Sequence, residues 1–117
     1  MKDFPEFIRN LANKIAPASQ YTKNLEGYVF DGADGSQVCF WTVHESGPSI
    51  EHVHDYDEYM LVVQGQYTII IGGKHISLKA GQEYLIKRGV SHSGEAIAGT
   101  RTIDAFGGKR AKRVGEI

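Results

Sequence analysis

A single cysteine, Cys39, is all that the 117 residues contain, so no disulfide can form within the chain. That scarcity suits a reducing compartment. No apolar run approaches the ~20 residues of a membrane-spanning helix. The opening stretch Met1-Lys2-Asp3-Phe4-Pro5-Glu6 carries acids and a proline where a secretory leader needs an apolar core. The expectation is a cytoplasmic protein without a membrane partner. Charge of one sign is missing too. Thirteen basic and fourteen acidic residues leave a formal net charge of -1, so overall balance offers nothing to a nucleic acid. What remains, 41% hydrophobic and 23% charged residues, is the make-up of one ordinary globular domain spanning 1–117.

The first segment has helical spacing. Phe4, Phe7, Ile8, Leu11 and Ile15 recur on one face, with Arg9, Asn10, Asn13 and Lys14 between them, which predicts a short amphipathic helix over about 4–15. Asp3 and Glu6 have the spacing of a capping box, and Pro17 stops the helix. From about residue 27 to residue 106 the period changes. Runs at 27–30, 37–44, 59–63, 66–71, 74–78, 83–86 and 100–106 are β-rich, and the Gly72-Gly73 pair predicts a two-residue hairpin turn. With a further strand through Glu51-His52-Val53-His54, about eight short strands separated by glycine-rich turns argue for an all-β sandwich or closed barrel. The stretch 107–117, with Lys109, Arg110, Lys112 and Arg113, is a basic tail. It reads as a solvated terminus, the alternative being a positive flap over a mouth that admits an anion.

Four residues carry chemistry together. His52 and His54 alternate, so a strand would turn both to one face. Glu58 follows four residues after His54, and His92 lies in Gly89-Val90-Ser91-His92. Three imidazoles and one carboxylate are a common ligand set for one divalent Fe, Mn, Ni, Co or Zn.

The spacing resembles the cupin family. Gly47, His52, His54, Glu58 and Gly65 follow its first motif, with four residues between Gly47 and His52 where five are usual. Gly81, Gly89 and His92 follow its second, with Lys87 in place of the usual proline and Ala96 in place of a frequent asparagine. The resemblance implies a double-stranded β-helix (jelly-roll) barrel holding the metal on His52, His54, Glu58 and His92, and pairing as a homodimer. The short N-terminal helix would pack on the barrel or on the dimer mate.

Alternation from Glu58 turns Met60 and Val62 inward as a greasy pocket wall. Arg101 and Asp104, polar in an otherwise apolar last strand, are further pocket candidates. His75 sits beside a hairpin turn and reads as exposed. His44 ends a strand near the mouth. Cys39, with Trp41 and Val43 on its face, reads as a buried small hydrophobe. Open metal positions suit a metal-dependent enzyme of dioxygenase, lyase or isomerase type acting on a small polar or anionic molecule. The alternative is a non-catalytic cupin that binds a small sugar or acid.

Overall fold

The glycine pairs in the sequence mark real strand ends. A computed structural model describes residues 2–116, except the side chain of Ala18. Nine strands follow one another: β1 Leu25–Asp31, β2 Gln37–Val43, β3 Gly47–His52, β4 Glu58–Gln64, β5 Gln66–Ile71, β6 Lys74–Lys79, β7 Glu83–Ile86, β8 His92–Ala96 and β9 Arg101–Phe106. Every pairing is antiparallel. The described strands form two sheets, one of five in the order β1-β2-β9-β4-β7 and one of four in the order β3-β8-β5-β6. This is the all-β jelly-roll class, with hydrogen bonding divided between two sheets and not continuous around a closed barrel. Pro48 lies in β3, at an edge of the smaller sheet, where a missing N–H is tolerated. Gly72 and Gly73, both at positive φ, make the tight turn that pairs Ile71 with Lys74.

Strict alternation decides what faces inward. Cys39, Trp41 and Val43 on β2, Glu58, Met60 and Val62 on β4, and Thr102, Asp104 and Phe106 on β9 are all buried. Two apolar clusters result. One joins Ile15, Val29, Cys39, Trp41, Phe106 and Ala111; the other joins Met60, Val62, Ile69, Leu78 and Ile86. The polar site lies where members of both clusters meet.

The N-terminal segment departs from the helical expectation. Residues 5–9 form a turn in which Ile8 N–H donates to the Pro5 carbonyl at 3.0 Å, and only a 3-10 turn, Leu11–Asn13, follows. Phe4 and Ile15 are buried while Phe7 and Leu11 are about three-quarters exposed, so the apolar face is split. Two contacts outcompete the helix. The Asn10 side chain accepts the Ala12 N–H, a local bond that competes with helical pairing. Beyond it, Lys14 and Ile15 are drawn into β-bridges with Tyr28 and Arg113. The Asp3 carboxylate accepts the neighbouring Phe4 N–H, not that of Glu6, so no capping box forms. No helix among the described residues is long and apolar enough to cross a membrane.

The basic tail is anchored through its backbone, while Lys109, Lys112 and Val114 stay exposed to solvent. Ala111 is buried, Ala16 N–H donates to the Lys112 carbonyl at 2.8 Å, and Val114 N–H donates to the Lys14 carbonyl at 2.9 Å. β8 shows no β-rich pattern in sequence. Its inward positions are His92, Gly94 and Ala96, and the space that a side chain at Gly94 would take is filled by Tyr67, whose hydroxyl oxygen lies 2.3 Å and ring 2.6 Å from where a Cβ would stand.

Candidate metal centre

His52 is the last residue of β3 and His92 the first of β8, and the two are paired directly across the smaller sheet, with a register shift between Ser49 and His52. Such an irregularity re-aims side chains beside a site. Glu58 is the first residue of β4, in the larger sheet. His54 lies in the loop between β3 and β4, not on the same strand as His52 as alternation predicts. Its carbonyl accepts Gly89 N–H at 2.9 Å, which ties it to the turn before His92. That turn closes with Lys87 in place of a proline: Val90 N–H donates to the Lys87 carbonyl at 3.1 Å, and Gly89 supplies a φ of 81°.

One ligand atom from each of His52, His54, Glu58 and His92 lies within 4.8 Å of the others, a group that can hold a metal ion. The backbone sets the tautomers. His52 Nδ1 donates to the Ile50 carbonyl at 2.6 Å and His92 Nδ1 to the Val90 carbonyl at 2.9 Å. A carbonyl only accepts, so the neutral rings carry their lone pairs on Nε2, toward the centre. The Nε2 atoms of His54 and His92 are buried without a hydrogen-bond partner. Glu58 Oε1 lies 3.3 and 3.4 Å from them, close enough for charge attraction but without hydrogen-bond alignment. The His92 lone pair faces the Glu58 carboxylate in a buried space, and two acceptors so placed call for a cation between them. The donor set therefore fits a divalent transition metal.

The electrostatics agree. Burial pushes His52 down to about 4, so the ring is neutral and ready to ligate at neutral pH. Burial opposes charge on Glu58 as well, but the adjoining His54, His92 and Asp104 side chains outweigh it and hold the carboxyl well below its usual range. Burial also pulls His92 down, and the Glu58 carboxylate and the Val90 carbonyl overcome it, so its basicity rises. Burial and the Glu58 charge push Asp104 well above the usual carboxylate range. The two adjacent carboxyls are thus pushed in opposite directions, Glu58 toward ionisation and Asp104 toward the protonated form.

The centre opens on a cavity of about 60 Å³ between the sheets. One water centre needs ~10–15 Å³, so the space suits an ion with a small ligand. Met60 and Asp104 line it. Val62 does not; it lies fully buried in the apolar cluster beyond. Arg101 is buried but on the opposite phase of β9 from Asp104, so its Nη2 donates outward to the Lys2 carbonyl at 2.7 Å. His44 is exposed and pairs with Glu26 at 2.7 Å, away from the cavity, and His75 is exposed on β6. Ala96 is buried at the cavity wall. Burial raises the Cys39 thiol far above its usual range, which keeps it unreactive.

Three lining residues carry little sequence signal. Tyr21 stacks on His52 with ring centres 4.0 Å apart, and Trp41 forms part of the wall. Arg110 reaches in from the basic tail, where its sign but not its position was legible.

Comparison with known proteins bears on family and fold. The family model described as "Cupin domain" matches residues 39–104. Solved structures share the fold. KdgF from Halomonas sp. superimposes with a TM-score of 0.69 at 16% identity, over 82% of this chain and 93% of that one. An RmlC-like cupin from Shewanella frigidimarina gives 0.71 at 17%, over 85% and 86%. A cupin-2 domain containing protein from the same organism gives 0.58 at 26%, over 71% and 79%. No curated protein sequence matches the chain.

Proposed function

This chain belongs to the cupin family, and from that premise we propose that it is a metal-dependent enzyme acting on a small polar or anionic molecule. His52, His54, Glu58 and His92 hold one divalent Fe, Mn, Ni, Co or Zn. The observation that carries the reading is the pair of buried, unpartnered Nε2 atoms aimed with Glu58 at one point beside a cavity. A bound metal supplies Lewis acidity and open coordination positions there. The chain's own residues do the rest. The Ile50 and Val90 carbonyls orient two of the imidazoles. Met60, Ile69 and Ile86 exclude water from one wall, and Asp104 offers a polar group beside Glu58.

Metal analysis of the purified protein and of His54→Ala tests the centre. The expected result is one metal per chain in the wild type and a loss of about tenfold or more in affinity in the variant. Equal trace metal in both would overturn the reading. Turnover then separates catalysis from storage of a ligand. Iron-loaded protein in an oxygen electrode with catechols, thiols and diketones tests the oxygenase branch. Tight ligand binding without conversion of any ligand would make the protein a binding module.

A further inference from the structure

The geometry points to Arg110 as the residue that selects ligand charge: it is set to grip the carboxylate of a small organic acid whose other end meets the metal ligands. This rests on the metal-dependent reading above and narrows its substrate class.

Arg110 follows β9, after Gly107 and Gly108. A Cβ at Gly108 would stand 2.5 Å from the Tyr56 ring, so the glycine lets the chain pass close to it. The backbone at 110 and 111 is then clamped to β2. Gln37, buried, accepts the Arg110 N–H at 2.7 Å and the Ala111 N–H at 2.9 Å through Oε1, and donates from Nε2 to the Ala111 carbonyl at 3.2 Å. The side chain is thereby fixed at the cavity. Its guanidinium carbon lies 4.3 Å from the Tyr21 ring centre, 5.5 Å from Trp41 and 5.8 Å from Phe106. Two of those rings also touch metal ligands, Tyr21 stacking on His52 and Phe106 meeting His54 edge-on at 5.8 Å. The cation is therefore one aromatic ring away from two of the imidazoles.

A guanidinium has five N–H donors. One is used here, on the Ser19 carbonyl. No carboxylate pairs with Arg110 among the described residues. A fixed, half-buried fork facing a small cavity is suited to a carboxylate, which it binds through two parallel bonds. The apolar wall of Met60, Ile69 and Ile86 suits a short hydrocarbon body, and the cavity volume limits the acid to a few heavy atoms.

The test uses the full chain loaded with Zn²⁺. It is titrated with 2-hydroxybutyrate and with its uncharged analogue 2-hydroxybutyramide, and binding is read from the fluorescence of Trp41, the only tryptophan. Zinc content is measured on the same samples. The wild type should prefer the acid by about tenfold or more, as one charge-assisted pair implies. Arg110→Met should keep its zinc and lose that preference, and Arg110→Lys should regain part of it. Equal affinity for acid and amide in the wild type, no binding of the acid, or an undiminished preference in Arg110→Met would each overturn the assignment with the metal centre intact. A wild-type chain that holds no zinc would instead overturn the metal-dependent reading, and this one with it.

Discussion

The side-chain oxygen of Gln37 accepts the backbone N–H of Arg110 at 2.7 Å, joining β2 to a segment 73 residues later. The same oxygen takes the Ala111 N–H, and Gln37 is almost wholly buried. Replacing Gln37 by Leu would leave two amides without an acceptor. The expected cost is roughly 1–3 kcal/mol, the penalty for stranded buried polar groups. Urea unfolding of Gln37→Leu checks it, and an unchanged midpoint would mean that the clamp contributes nothing. Metal content should stay at the wild-type level, since Gln37 touches none of the four ligands.

In metal-free protein, acid should erode stability through His52. Its folded value, about 4, lies below its ordinary 6.5 because of burial. As pH falls from 6.5 toward 4, the unfolded chain takes up a proton that the folded chain refuses, so His52's contribution is present above 6.5 and lost on acidification. His92 acts in the opposite sense, since its raised folded value favours the folded state at low pH. Comparing the wild type with His52→Ala by denaturant unfolding between pH 7 and pH 4 isolates the first effect. The wild type should show the steeper decline; parallel curves would contradict it.

Asp104 should behave as a buried acid under strain. Burial and Glu58 raise its folded pKa well above 3.8. Its contribution is therefore favourable at low pH and lost as pH rises above the unfolded value. Asp104→Asn removes that loss and should make the metal-free protein more stable at pH 7 than the wild type, with the gap closing toward pH 4. Thermal unfolding at both values measures it. A variant less stable at pH 7 would argue that the carboxyl makes bonds which the amide cannot replace.

Gly27 is needed for space. A Cβ there would stand 2.3 Å from two Trp41 ring atoms and 2.8 Å from Ile15 Cδ1. Gly27→Ala should cost roughly 1–3 kcal/mol through overpacking and shift the Trp41 emission. Gly47→Ala is the control, with nothing within 4 Å of its Cβ position, and should change stability by less than about 0.5 kcal/mol. If both substitutions behave alike, Trp41 is looser than its surroundings imply.

The four convergent side chains were legible because they fall in two short motifs, His52, His54 and Glu58 in the first and His92 in the second. Alternation also put Glu58 and Met60 on the inner face. Elsewhere the deciding contact lies far along the chain. Lys14 and Ile15 abandon a plausible helix for partners at Tyr28 and Arg113, which no window of a dozen residues contains. β8 hides because its inward side chains are an imidazole, a hydrogen and a methyl. Arg101 and Asp104 looked equivalent until the phase of β9 sent one outward and one inward. Arg110 depends on Gln37, and nothing in the basic run itself announces that bond.

The ligands are divided between the two layers, with His52 and His92 at strand ends of the smaller sheet and Glu58 at the start of a strand in the larger. An ion seated among them would therefore act as a rivet through the sandwich. Its bond lengths and the gap between the layers must agree, so Met60, Ile69 and Leu78, which pack that gap, act as spacers on the coordination geometry. Trimming a methyl group among them would alter which ion seats best, without touching a single ligand.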